Sequence, residues 1–594
     1  VGDILKDAVA LHRAGKLEEA ARLYRDVLAV QPDQPDTLAL LSGVLTAQGA
    51  YDEAIALIEK AVARDPDAAL FRLHHGNALM QAKRMDEAAS AFRAAIKLKP
   101  DLAEAHYNLA NVLRAANNWT GAIDAYTRAI AVNPNYAEAH NNLALSYVHE
   151  KRYDEAFKEA EKATTLAPDY GEGWVTVCNV AEKVNDYKTG LAAGEKAIAL
   201  LPGNHFAWFG YGIILNRLDR HEEAVAAYKR ALELKPGRED IWDNLGQTHQ
   251  SLNRLEDAEA AFRKTIEVAG QVIAGEGARA IAEDEYGHRH WHLALLELLR
   301  GKYKEGFARY RSRFKKVGGL QRPSYSRPLW KGEDLTGKTI LITDEQGMGD
   351  TLMLARYLPH LKQRGAKIIF SVHPALEPLF KGWPGADTII VHGATVSAYD
   401  CYASVFDLPY IFGTTLATIP AQVPYLPQLP PDDKTLIKGD RRPKVGVVWG
   451  GNPLHTNDQR RSIPLAIFAA IFSEKNVQFF SFNRDMKEGD AVLLPNYPVI
   501  DLTKGLNNFA DAARLVGQMD LVITCDTATA HLAGGLGKSV WVLLPFAPDW
   551  RWLLDRSDSV WYPSARLFRQ PRIGDWAGVM ANVTEALCEK FPVK

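Results

Sequence analysis

The chain has 594 residues, too many for one hydrophobic core, and at roughly 150 residues per domain it predicts three or four units. A formal net charge of -2, with 47% hydrophobic and 24% charged residues, is that of a soluble globular protein and leaves no basic excess to grip nucleic acid. Cys178, Cys401, Cys525 and Cys588 are scattered without CxxC or metal-ligand spacing, which argues for a reducing compartment and against a zinc site or disulfide framework. No apolar run approaches the ~20 residues of a membrane span, and the charged, amphipathic N-terminus predicts no signal peptide, so the expected location is cytoplasmic.

Pro32, Pro66, Pro100, Pro134, Pro168, Pro202 and Pro236 stand 34 residues apart. Within the unit from Ala103, His106, Leu109, Ala110, Ala122, Tyr126, Ala129 and Pro134 recur in step with Trp208, Tyr211, Gly212, Ala224, Tyr228, Ala231 and Pro236 of the unit from His205. Small residues let two antiparallel helices approach, large ones fill the gap beside them, and proline ends each unit. This period and pattern resemble the tetratricopeptide repeat (TPR). Starts at Val1, Pro35, Ala69, Ala103, Ala137, Gly171, His205 and Glu239 predict eight repeats over residues 1–272, an α-solenoid of the kind that binds other proteins.

Asparagine recurs at the sixth and ninth positions of several units, at Asn77, Asn108, Asn111, Asn142, Asn179 and Asn244. These positions fall on the first helix of each unit, which lines the concave face in TPR proteins. An amide can pair with any extended peptide backbone. The pattern resembles the asparagine ladder of the eukaryotic O-linked N-acetylglucosamine transferases, which implies a groove for a protein acceptor. The alternative is that Asn simply suits these positions in TPRs.

The period decays after residue 272. His290, Trp291, Leu293, Ala294, Leu299, Gly301, Tyr303, Gly306, Phe307 and Tyr310 predict a TPR-like pair of connector helices over 273–325. Arg322, Pro323, Ser324, Pro328 and Gly332 then break the helical pattern, and the domain boundary is expected near 325.

Beyond it, β-branched runs alternate with helices. Strands are predicted at Thr339–Thr343, Lys367–Val372, Thr388–Val391 and Ala403–Asp407, then at Val445–Trp449, Val477–Phe482, Val499–Leu502, Leu521–Thr524 and Val540–Leu544. A proline-rich stretch from Pro420 to Pro431 divides the sets. Two Rossmann-like halves, 326–432 and 433–594, form the α/β layout called GT-B, with ligands expected beyond the carboxyl ends of the strands.

Three loops at strand ends carry the candidate chemistry. The first, Asp344–Thr351, frees its backbone at Gly347 and Gly349 and puts Asp350 at the start of a helix, where a carboxylate also serves as a first-turn cap. It lacks GxGxxG and the P-loop signature, which argues against nucleoside triphosphate binding by that route. The second runs through Trp449, Gly450, Gly451, Asn452 and Pro453 to His455, Asn457, Asp458, Arg460, Arg461 and Ser462. A glycine turn followed by two arginines suits an anion such as a diphosphate, or is a solvated basic loop. The third, Thr524–Gly537, sets Asp526, Thr527, Thr529 and His531 at a helix start, an anion-binding arrangement.

The Gly-Met-Gly-Asp-Thr loop and the Asp-Thr-Ala-Thr-Ala-His-Leu-Ala segment resemble the matching motifs of bacterial lipopolysaccharide heptosyltransferases, which are GT-B enzymes. Residues 328–576 resemble the catalytic part of bacterial proteins that fuse TPRs to a heptosyltransferase-like domain, among them flagellin glycosyltransferases. The resemblance implies an inverting, metal-independent protein O-glycosyltransferase. Asp350 matches the family's general base, and Asp526, Thr527, Thr529 and His531 match its donor-phosphate segment. Arg460 or Arg461 is nearest to its phosphate-contacting basic residue. The run Phe546–Trp552 departs from the heptosyltransferase pattern, and Trp550 is expected to stack on donor base or sugar. A nucleotide-sugar and a protein acceptor such as flagellin are the implied partners, and the sugar and nucleotide stay open. The alternatives are a heptosyltransferase-like enzyme for a small or lipid-linked acceptor, and a non-catalytic TPR scaffold or chaperone.

Overall fold

The computed structural model describes residues 2–275, 287–315, 325–396, 398–437, 440–453, 457–484 and 486–592. His455 and the break at Arg322, Pro323 and Ser324 lie outside the described residues. The chain divides into two compact units, Val1–Pro236 and Gly237–Lys594.

The first unit is an α-solenoid of antiparallel helix pairs, as in Ala103–Ala115 with Trp119–Val132 and His205–Arg217 with His221–Leu234. Three periodic devices build it. A side chain at Gly76 or Gly212 would lie within 2.6 Å of Phe92 or Tyr228, so the glycine admits the aromatic ring of the partner helix. The left-handed residue that turns one helix into the next recurs every 34 positions, at Gly15, Gly49, Lys83, Asn117, Lys151, Asn185 and Asp219. Trp174 and Trp208 donate their indole N–H to the carbonyls of Pro168 and Pro202 at 2.9 and 3.0 Å, and His106 bonds Pro100 the same way at 2.9 Å. The proline thus ends one repeat and anchors the first helix of the next.

The same period continues in the second unit. Glu239–Ser251 and Leu255–Gly275 form a further repeat with left-handed Asn253 at its turn, and the phenylalanine of its second helix, Phe262, packs on Gly246. The register therefore runs past the point where the chain divides. The expected connector pair is Trp291–Leu299 and Tyr303–Tyr310, followed by a 3-10 turn over Arg311–Lys315.

Two parallel sheets follow. The first contains β1 (Thr339–Thr343), β2 (Lys367–Val372), β3 (Thr388–Val391) and β4 (Cys401–Ser404), in the order β3-β2-β1-β4. The second contains β5 (Lys444–Val448), β6 (Gln478–Ser481), β7 (Val499–Asp501), β8 (Leu521–Cys525), β9 (Val540–Leu544) and β10 (Ala565–Arg569), in the order β10-β9-β8-β5-β6-β7. All neighbours are parallel, which makes two Rossmann-like halves. The strand expected over Ala403–Asp407 is displaced. It begins at Cys401 and stops at Ser404, whose Oγ accepts from the Phe406 amide at 3.3 Å and starts a 3-10 turn. β10 escaped prediction because Arg566 and Arg569 break its apolar run.

Candidate functional site

Strand order reverses between β1 and β4 in one sheet and between β5 and β8 in the other. The loops leaving β1, β5 and β8 meet there around a cavity of about 760 Å³. Helices Met348–Leu354 and Ala528–Gly535, one from each half, pack directly on one another. Gly349 makes this possible, since a Cβ there would stand 2.9 Å from His531 Cδ2 and 3.3 Å from the Ala528 Cα. Of the residues expected at this site, Gly347, Gly349, Asp350, Asn452, Arg461, Asp526, Thr527, Thr529, His531 and Trp550 line the cavity.

Asp350 is a first-turn carboxylate, as the loop alone suggested, with Oδ2 accepting from the Gly347 amide at 3.1 Å. It is also ion-paired with Arg551. Burial pushes the Asp350 carboxyl up, and Arg551 opposes that. The preceding residues are held by the connector. Buried Arg313 bonds Glu345 at 2.5 and 2.9 Å and Asp407 at 3.0 Å, and Gln346, left-handed at φ 65°, exchanges hydrogen bonds with the Tyr310 hydroxyl. Trp291, Leu295 and Tyr310 of the connector also line the cavity, a contribution that its loose repeat pattern did not signal.

The two arginines of the second loop part company. Arg461 lies against the turn, its Nη1 donating to the Asp526 carbonyl at 3.1 Å. A Cβ at Gly451 would fall 2.6 Å from Arg461 Nη2, so a larger residue there would displace the guanidinium. Arg460 is exposed and turns to Ser251 of the last repeat, donating to its Oγ at 3.1 Å. The expectation that either could serve the site is thus narrowed to Arg461.

In the third loop Thr527 takes the N-cap position of Ala528–Gly535 without bonding its first-turn amides, and its hydroxyl meets that of Thr524 at 3.0 Å. Burial and neighbouring Asp549 push the Asp526 carboxyl up to about 6, against the pull of Trp552, Arg551 and Arg461. His531 is buried, lies parallel to Trp552 at 5.5 Å, and shares a 2.9 Å hydrogen bond with the Tyr562 hydroxyl. Burial, then Arg551 and Arg356, depress its pKa well below the usual value and keep it neutral.

Trp550 is not a stacking platform. It is 3% exposed, set edge-on among Tyr303, Phe307 and Trp561, and has the Arg551 guanidinium over its ring. The residue beside it, Arg551, is the one sequence reading missed. Its Nη1 bonds Asp549 at 2.6 Å, Nη2 bonds Asp350, and burial is outweighed by these carboxylates, which hold it protonated. Arginine inside a tryptophan-rich run was the available signal.

Four asparagines of the first unit, Asn77, Asn108, Asn111 and Asn142, are engaged with its own fold. Asn108 donates to Asn77 at 2.8 Å, and Asn142 donates to Asn111 at 3.3 Å and to the Tyr107 hydroxyl at 3.0 Å. Asn111 also accepts from the buried Tyr126 hydroxyl at 2.5 Å. The sixth position of one repeat thus bonds the ninth of the repeat before, which corrects the picture of amides held open for a peptide. The relay stops beyond Asn142. Asn179 is exposed beside Gly210, and Asn244 bonds its own helix at the Asp240 carbonyl, 2.8 Å away.

Comparison with known proteins places these features. Models described as tetratricopeptide repeat match residues 11–74, 47–103, 107–170 and 205–271. Protein FlbA of Caulobacter vibrioides is 29% identical over 326 residues, covering 50% of this chain. The chain spans about half, 54%, of that relative's length. Among solved structures, MamA is 28% identical, covering 27% of this chain and 93% of its own, with a TM-score of 0.26. YrrB, a TPR protein described as having an unusual peptide-binding site, is 27% identical over 30% of this chain and 93% of its own, with a TM-score of 0.27. The chain therefore carries a tetratricopeptide-repeat solenoid, followed by an α/β region of parallel sheets.

Proposed function

We propose that this protein is an inverting glycosyltransferase that moves a sugar from a nucleotide-sugar to a Ser or Thr hydroxyl of a protein such as flagellin, with the repeat array selecting the acceptor. One observation carries the reading. The β1 loop and the β8 helix meet at one cavity, so that a half-buried carboxylate, Asp350, faces a helix N-terminus flanked by Arg461 and Arg551. A helix N-terminus with arginines takes a phosphate, and a half-buried carboxylate across the cleft takes a proton. The name FlbA adds nothing about sugar transfer.

In this reading the acceptor hydroxyl attacks the anomeric carbon and passes its proton to Asp350. The new C–O bond forms as the bond to the donor phosphate breaks, and the phosphate leaves with that electron pair. The first-turn amides of Ala528–Gly535 and Arg461 stabilise the leaving charge. The reaction is cytoplasmic and calls for no divalent metal, so EDTA should leave turnover unchanged. Among the described residues no helix is long and apolar enough to cross a membrane.

The Asp350–Arg551 pair also suits a carboxylate with a purely structural role, in a scaffold that does no chemistry. Asp350→Asn in the full chain separates the two. With a nucleotide-sugar panel and flagellin as acceptor, transfer should fall about 10²–10⁴-fold while nucleotide binding persists. A folded variant with near-normal turnover would sink the catalytic role.

A further inference from the structure

Arg551 has two carboxylate partners that differ in origin. Asp549 lies two residues away and accepts both the Arg551 amide, at 3.0 Å, and Nη1, at 2.6 Å. Asp350 belongs to the other half of the cleft and takes Nη2. The guanidinium also lies over the Trp550 ring, 4.5 Å from its centre, so an apolar face steers it into the cavity. Its Nε–H is buried and has no acceptor among the described residues. A buried donor without a partner is costly, and a guanidinium with donors to spare matches a phosphate, which accepts from two at once. The nearby first-turn amides of Ala528–Gly535, uncapped by Thr527, favour the same anion.

The two demands on Arg551 conflict. The carboxylate that must take the acceptor's proton is tied to the cation best placed to take the donor's phosphate. We infer that Arg551 is a switching residue: in the empty cleft it holds Asp350, and the phosphate of an arriving donor takes its place, releasing Asp350 toward the acceptor. Asp549 keeps the loop end of the side chain fixed while its Nη2 changes partner. The exchange leaves charge balanced, since one anion replaces another on the same cation. It also makes Asp350 more basic, because the neighbouring positive charge is then neutralised by phosphate. The donor must therefore bind before the acceptor can react. This inference rests on reading the cleft as a donor site.

Inorganic pyrophosphate, with CMP, UDP and GDP, probes the switch by titration calorimetry on the full chain. Arg551→Gln should weaken pyrophosphate at least about tenfold, as expected for loss of charge-assisted hydrogen bonds. Asp350→Asn should bind it severalfold more tightly, because the competing carboxylate is gone. In the double variant that gain should vanish, leaving affinity equal to Arg551→Gln alone. A gain that survives without Arg551 would mean simple relief of repulsion and would overturn the switch. So would unchanged binding by Arg551→Gln. If Arg551→Gln does not fold, an unaltered affinity in Asp350→Asn overturns it independently. Absence of binding by all four probes to every variant would instead overturn the donor-site reading, and the switch with it.

Discussion

Arg356 sits in the interior of the second unit, 2% exposed, and among the described residues no carboxylate is hydrogen-bonded to it. Its Nε donates to the Met353 carbonyl at 2.7 Å. Nη1 donates to the carbonyls of Trp561 at 2.6 Å and Pro420 at 3.2 Å, and Nη2 to the Tyr425 hydroxyl at 3.1 Å. Three aromatic faces, Tyr425, Tyr562 and Trp561, stand within 5.3 Å of its guanidinium carbon. The first half thereby holds the second half and the linker through one side chain. Arg356→Met fills a similar volume but strands the Trp561 and Pro420 carbonyls, each at about 1–3 kcal/mol. Relief from burying a cation returns part of that, so a net loss of about 3 kcal/mol is expected. Urea unfolding followed by tryptophan fluorescence is the assay, because ten of thirteen tryptophans lie beyond Pro236. The fluorescence midpoint should fall at unchanged slope. Arg356→Lys should recover only part, since an ammonium cannot span the same acceptors. An unfolding free energy within about 0.5 kcal/mol of the parent would refute the idea that these bonds join the halves.

Three further outcomes follow from the geometry. Gly349→Ala should cost about 1–3 kcal/mol in thermal unfolding and impair transfer, because its Cβ meets the Ala528 backbone, which cannot rotate away; unchanged melting would show the helices are free to separate. Asp526 has a folded pKa of about 6 against 3.8 unfolded, so the stability its protonated form contributes is present below pH about 4 and lost as pH rises through about 6. Asp526→Asn lacks this titration and should gain on the parent by about 3 kcal/mol between those limits, and a pH-independent gap would contradict the raised value. Asn111→Ala strands the buried Tyr126 hydroxyl and should destabilise the first unit by about 1–3 kcal/mol in circular dichroism melts, with Asn111→Ala/Tyr126→Phe recovering much of the loss.

The repeat was legible because each of its devices recurs at fixed spacing. Prolines, small residues facing aromatics, and left-handed turn residues each report the same 34-residue frame. The strands were legible for a similar local reason, and four of them match their predicted bounds to the residue. Arg461 and Arg460 are adjacent in sequence yet serve different surfaces, and no local pattern separates them. Trp550 and Arg551 show the same limit: tryptophan looked like the ligand platform, but packing by Tyr303 and Phe307 from the connector claims it for the core. Asn77, Asn108, Asn111 and Asn142 stand out by position, but their pairing with one another is not visible locally, because each partner lies 31 residues away on a neighbouring repeat.

The placement of the last repeat sets where the protein can be cut. Its Asn253 donates to the Phe546 carbonyl, just before the Arg551 segment, and its Ser251 receives Arg460. A truncation drawn at the end of the periodic sequence, near residue 272, would strip both contacts and damage the unit it was meant to isolate. A graft of a foreign array should instead join between Pro236 and Gly237, keeping the eighth repeat with the sheets. What reads as one more bead on a string is, by its bonds, a fixed part of the domain it borders.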